Sequence, residues 1–191
     1  MPNMQSVRSR LVAAITLGGL AAGIAAVAVS AGRTPTISQT SIAGVKLGMT
    51  MAQARAVLGK PVERSIGTFD NSGQPDNWIR LAFTERDVSV YFKQGNPHAV
   101  MVTTWNKSDR TAAGIGPCSP RAKVKKAYGS ALKQSSHTDP GGGYTVGSHL
   151  FIGYDGPPGT SVPNVTAIGL FGPTAGLAYA TFVTLSEDNC A

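Results

Sequence analysis

The chain has 191 residues, 42% of them hydrophobic and only 14% charged, with 23 Gly, 12 Pro and 2 Cys. That length allows one domain, or two small repeats sharing a core. Few charges argue against a disordered chain, the composition argues against a coiled coil, and two cysteines are too few for a disulfide-dense miniprotein or a Cys-rich zinc module.

The chain opens on a segment that reads as an address rather than as fold. Arg8 and Arg10 precede an uncharged run from Leu11 to Val29, and Val29-Ser30-Ala31 offers small residues for cleavage after Ala31. Residues 1–31 are therefore a signal peptide or an N-terminal membrane anchor, since the run is close to the length that spans a bilayer. No Cys sits near its end to suggest a lipoprotein. Either reading places the rest outside the cytoplasm, secreted after cleavage or tethered to the membrane through Leu11 to Val29 alone. In an oxidising compartment, Cys118 and Cys190 are expected to bridge. The formal charge of +7 falls to +5 without the leader, and no dense basic stripe points to nucleic acid.

Residues 32–40, rich in Thr and Ser, read as a linker. From Ala43, the stretch AGVKLGMTMAQARAVLGKPV lies without a gap over AGIGPCSPRAKVKKAYGSAL from Ala113. This points to two repeats, 41–110 and 111–191. In the first, Thr50 and Gln53 form a capping box, Met51, Ala54 and Leu58 make an apolar stripe, and Gly59 ends the helix. In the second, Ser119 is the expected N-cap, with Pro120 at the first helical position, an apolar stripe of Val124, Ala127 and Tyr128, and Gly129 at the end.

Strand patterns follow each helix. Trp78–Phe83, Asp87–Lys93 and Ala99–Trp105 follow the first, after a turn at Asp70–Gly73. Leu150–Tyr154, Val165–Phe171 and Ala178–Leu185 follow the second, with loops at Gly141–Gly143 and Gly156–Gly159. Ile66–Phe69 and Tyr144–Val146 are candidate extra strands. The expected class is α+β: two tandem repeats, each a short helical element on one face of an antiparallel sheet.

Ile42, Gly44, Leu47-Gly48-Met49-Thr50 and Leu58-Gly59-Lys60-Pro61, followed by a meander of strands, resemble the BamE-type (SmpA/OmlA) envelope module. Two such units in tandem in an exported chain resemble the architecture of the β-lactamase inhibitor proteins. The second copy departs from the motif, with Gly116-Pro117-Cys118-Ser119-Pro120 where the first has Lys46-Leu47-Gly48-Met49-Thr50. The resemblance implies a fold and a tendency toward protein binding.

No catalytic constellation stands out, and the chain reads as non-enzymatic, with no cofactor. His98, His137 and His149 lack metal-binding spacing. Gly114-Ile115-Gly116 lacks the remainder of a phosphate loop and reads as the turn leading into the second helix. Glu63, Asp70, Asp76, Glu85 and Asp87 are scattered, so a hydrolase is the least favoured alternative. Strand alternation places Ile79, Leu81, Phe83, Val88, Val90, Phe92, Val100 and Val102 on one aliphatic face. The opposite face carries Trp78, Arg80, Ser89, Tyr91, Lys93, Met101, Thr103 and Trp105. Of these, Trp78, Arg80, Tyr91, Lys93, Met101 and Trp105 form the candidate protein-binding site on an open sheet face, because aromatics mixed with cations are typical of binding hot spots; the alternative is that this face packs against the second repeat or a loop. Inhibition of a secreted enzyme is one form that binding would take. The alternative is an anchored structural or assembly protein of the envelope, contacting an anionic polymer through Arg121, Lys123, Lys125, Lys126 and Lys133.

Overall fold

The computed structural model describes residues 36–67, 78–134, 143–154, 163–172 and Cys190. All of these lie within the unit Arg33–Ala191. The leader, the turn at Asp70–Gly73, His137, the loop at Gly156–Gly159 and the expected strand Ala178–Leu185 lie outside the described residues. Among the described residues, no helix is long and apolar enough to cross a membrane.

The chain begins on a small hairpin, β1 (Ser41–Ile42) and β2 (Val45–Lys46). Ala43 and Gly44 both adopt positive φ between them, the backbone a two-residue hairpin turn requires. Helix α1 (Met51–Leu58) follows, and its capping box forms as the sequence predicts. Gln53 N donates to Thr50 Oγ1 at 3.2 Å, and Thr50 N donates to Gln53 Oε1 at 2.8 Å. The remaining elements are β3 (Glu63–Gly67), β4 (Trp78–Phe83), β5 (Val88–Lys93), β6 (Ala99–Thr104), α2 (Arg121–Tyr128), β7 (Leu132–Gln134), β8 (Gly143–Val146), β9 (Leu150–Gly153) and β10 (Ala167–Phe171). Strands β3 to β10 form one sheet in the order β3-β4-β5-β6-β10-β9-β8-β7, antiparallel throughout. The class is α+β, with two α-helices among the described residues.

Both helices lie against the same face. Ala54 and Leu58 of α1 and Val124 of α2 share one core with Leu81, Val90, Phe92, Val102, Ile152, Ile168 and Leu170. Backbone latches tie the turn before α1 to Ala99, which opens β6, and the turn before α2 to Val165, just before β10. Gly48 N donates to Ala99 O and Ala99 N to Met49 O, both at 2.7 Å. Cys118 N donates to Val165 O at 2.7 Å, and Val165 N to Ser119 O at 2.9 Å.

Several expectations need correction. Pro120, not Ser119, is the N-cap of α2; Ser119 Oγ instead accepts from Gly116 N at 3.0 Å, holding the turn that leads in. Ala127 is exposed, so the buried stripe of this short helix narrows to Val124, with Tyr128 half-buried. Thr36–Thr40 are not a loose linker: Ile37 is buried, bridges to Ile42, and its N–H donates to Arg110 O at 3.0 Å. An isoleucine in a Ser/Thr-rich stretch finds core to fill. Gly143 opens β8 rather than closing a loop, and β3 starts at Glu63, ahead of the expected Ile66. Strand β7 lacks a legible alternation because it is three residues long.

Cys118 and Cys190 are bonded, with Cα atoms 5.2 Å apart. The loop closed by that bridge is long enough to contribute about 4 kcal/mol through restriction of the unfolded chain. A structural disulfide fits an oxidising, extracytoplasmic environment.

Candidate functional site

The face of the sheet opposite the two described helices collects most of the residues expected there. Register sets Arg80 opposite Tyr91, Tyr91 opposite Met101 and Met101 opposite Phe171, one row across four strands. Trp78 pairs with Lys93 in the neighbouring row. The Lys93 ammonium lies 5.5 Å above the centre of the Trp78 ring, within range of cation–π attraction. Arg80 Nε donates to Ser89 Oγ at 3.0 Å. Burial pushes the Tyr91 hydroxyl pKa above its ordinary value; the nearby Arg80 charge opposes this without cancelling it.

The face is not open at its aromatic centre. Trp78, Tyr91 and Met101 are buried, at 3%, 0% and 1% exposure, while Arg80, Lys93 and Trp105 are half-buried. Alternation correctly sorts side chains between the two faces. It carries no information on whether the rest of the chain covers a face.

Trp105 is not brought to the others. It follows the end of β6, where its N–H donates to Asp87 O at 3.0 Å. The row of Ala82, Ser89 and Thr103 separates it from Met101, about 13 Å along the strand at the usual rise.

Val100 changes sides. A bulge after Tyr91 pairs Phe92 with Ala99, so Val100 is an extra residue, and it joins Trp78, Tyr91 and Met101 instead of the aliphatic core. Phe171 packs on the same cluster and meets Phe151 edge-on at 5.7 Å. Neither phenylalanine was among the expected site residues, although the alternation that finds Met101 also finds Phe171 once β6 and β10 are known to pair.

The basic group on the second helix divides. Arg121 turns inward: its guanidinium lies 5.4 Å from the Tyr144 ring and 5.0 Å from the Tyr154 ring, and Nη2 donates to Tyr144 Oη at 3.0 Å. Burial raises the pKa of Tyr154 against the opposing Arg121 charge. Lys123 donates to Gly114 O at 3.1 Å. Lys125 and Lys126 are exposed on α2, and Lys133 is exposed on β7.

Three polar groups of catalytic type make structural hydrogen bonds. Asp109, overlooked in the sequence, is buried and accepts from Thr104 Oγ1 at 2.6 Å. His98 Nδ1 lies 2.8 Å from Gly48 O, and His149 Nδ1 lies 2.8 Å from Phe171 O. Among the described residues, no group of His, Cys, Asp and Glu could hold a metal ion. Compared with family models, curated proteins and solved structures, the chain matches none.

Proposed function

We propose that the chain is an exported, non-enzymatic protein-binding module built from two copies of one BamE-type helix-and-sheet unit, joined where β6 meets β10. The two-copy reading is supported by backbone features that recur 70 residues apart. The latches at Gly48 and Met49 reappear at Cys118 and Ser119. Positive φ at Gly44, Gly48 and Gly59 reappears at Gly114, Cys118 and Gly129. The bridge from Thr50 to His98 has its counterpart from Pro120 to Asn164. The strand order then reads as one four-stranded unit followed by the other in reverse.

Protein binding rests on one observation. Both helices take one face of the sheet, and the other presents two half-buried cations, Arg80 and Lys93, around a buried base of Trp78, Tyr91 and Met101. A cation held above an aromatic base suits carboxylates on a partner protein, with the rings giving rigidity rather than exposed area. The test is capture of envelope and secreted proteins by the full chain. Arg80→Glu with Lys93→Glu should abolish a specific capture while the chain stays folded, with a melting temperature lowered by a few degrees through loss of the Arg80–Ser89 and Lys93–Trp78 contacts. Unaltered capture by that double variant would defeat the reading.

A second reading has its own support in Lys125 and Lys126, exposed on a helix with no acidic residue in its first turn. These suit an anionic envelope polymer. Salt-sensitive binding to cell-wall material, lost in Lys125→Glu/Lys126→Glu, would favour it over protein binding.

A further inference from the structure

The large apolar side chains that stay exposed among the described residues are Val57, Val62 and Ile66, at 40%, 66% and 58%. All three fall at one edge of the sheet, where α1 runs into β3. Among the described strands, β3 pairs only with β4. Alternate N–H and C=O groups of such an edge point away from the partner strand, as a template for a further strand. Arg64 and Ile66 stand opposite Leu81 and Ile79, so they belong to the helix-bearing face, yet both are exposed.

A groove runs beside this edge. One hollow of about 730 Å³ is lined by Arg55, Lys60, Pro61, Val62 and Arg64. It shares Lys60, Pro61 and Val62 with a second hollow of about 420 Å³ that reaches Phe83, Glu85 and Arg86. The side chains of Arg55, Lys60, Arg64 and Arg86 make no ion pair among the described residues. Glu63, next along β3, alternates to the other face. The groove therefore joins an apolar floor to an excess of positive charge, with Arg55, Lys60, Arg64 and Arg86 set against the single carboxylate of Glu85.

We propose that this edge receives an extended acidic segment of a partner protein, added to β3 as a further strand. Its carboxylates sit over Arg55, Lys60 and Arg64, and its apolar side chains on Val62 and Ile66. Charge chooses this occupant over a second copy of the chain. Two β3 edges paired with each other would gather Arg64 and its neighbouring cations from both chains on one face, and like charges across a strand pair are destabilising. Backbone pairing supplies affinity, and the alternate side chains supply selectivity. This surface is separate from the sheet face of the proposed function, so either stands if the other fails.

The probe is a capped peptide, Thr-Val-Thr-Glu-Thr-Glu-Thr, which presents one valine and two carboxylates on a single face when extended. Binding to the full chain is read by fluorescence anisotropy, and hydrogen exchange locates it. The peptide should bind, slow exchange at Glu63–Gly67, and lose at least about tenfold in affinity against Lys60→Glu/Arg64→Glu. The same peptide with lysine in place of glutamate, or methylated at alternate backbone nitrogens, should not bind. The proposal is overturned if the probe does not bind, if the methylated peptide or flexible polyglutamate binds equally well, or if the chain alone dimerises with Glu63–Gly67 already protected.

Discussion

Replacing Trp78 by Ala decides whether the sheet face opposite the described helices is core or surface. The indole is 3% exposed and clusters with Tyr91, Val100 and Met101, with Phe171 packed alongside. Truncating a buried aromatic to Ala costs about 3–5 kcal/mol, from lost transfer energy and the cavity left behind. Loss of the Lys93 contact adds about 0.5–1 kcal/mol, partly returned when the half-buried ammonium gains water. A net loss of about 4 kcal/mol, at roughly 2–4 °C per kcal/mol for a chain of this size, lowers the melting temperature by about 10 °C. Near-UV circular dichroism during heating measures it, with two comparators. Leu81→Ala, fully buried beneath the helices, should melt about as early. Trp105→Ala, half-buried and outside the cluster, should lose about 1–2 kcal/mol, since less of it leaves water on folding. If Trp78→Ala melts with the wild type while Leu81→Ala does not, the burial argument fails and Trp78 is a surface anchor.

Other expectations can be checked with the same melts and with denaturant titrations. The native chain should show no reactive thiol, and Cys118→Ser/Cys190→Ser should lose about 4 kcal/mol; thiol labelling without denaturant would contradict this. Cys118 holds φ at +66°, so Cys118→Gly/Cys190→Ser should be more stable than the double serine variant by about 1 kcal/mol, and equal midpoints would remove the strain argument. Gly116→Ala should unfold or strongly destabilise the chain, because a Cβ there would meet the Asp109 carbonyl oxygen and the Arg110 side chain, and a wild-type melt would refute it. Tyr91 and Tyr154 have raised pKa values, so folding favours their protonated forms. Their contribution is complete below the ordinary tyrosine pKa of about 10 and is lost as pH rises above it. Alkaline destabilisation should therefore begin near there and soften in Tyr91→Phe; an unchanged pH profile in that variant would count against it.

How far the sequence was legible depends on how local each cause is. Thr50 and Gln53 lie within one helical turn, so their cap could be read from the chain, as could the bounds of β4, whose two faces differ in every residue. Val100 could not be assigned. The bulge that moves it depends on how Phe92 and Ala99 pair, and alternation along one strand contains no pairing information. The inward turn of Arg121 was equally hidden, because a lysine-rich helix gives no sign that two tyrosines from another part of the chain flank one of its cations. Burial of Trp78 and Tyr91 depends on parts of the chain remote from their own strands. Trp78, Arg80, Tyr91, Lys93 and Met101 were thus legible as neighbours, though not as an exposed surface, whereas Trp105 was not one of them.

Within the two-copy reading, the point at which the copies differ most has a physical rationale. Both need left-handed backbone in the turn before the helix, at positions 48 and 118. The first uses Gly48, for which that conformation carries no steric cost, and its carbonyl is held by His98 Nδ1 at 2.8 Å. The second places Cys118 there, at a cost of roughly 1–2 kcal/mol for a residue with a Cβ. The bridge to Cys190 offsets that cost, since closing so long a loop contributes about 4 kcal/mol. The same residue's N–H holds Val165 O, just before β10, so the disulfide ties Cys190 to the latch that positions that central strand. A glycine at 118 would relieve the backbone and forfeit the bridge to Cys190, which is why the cysteine is favourable only while its partner is oxidised.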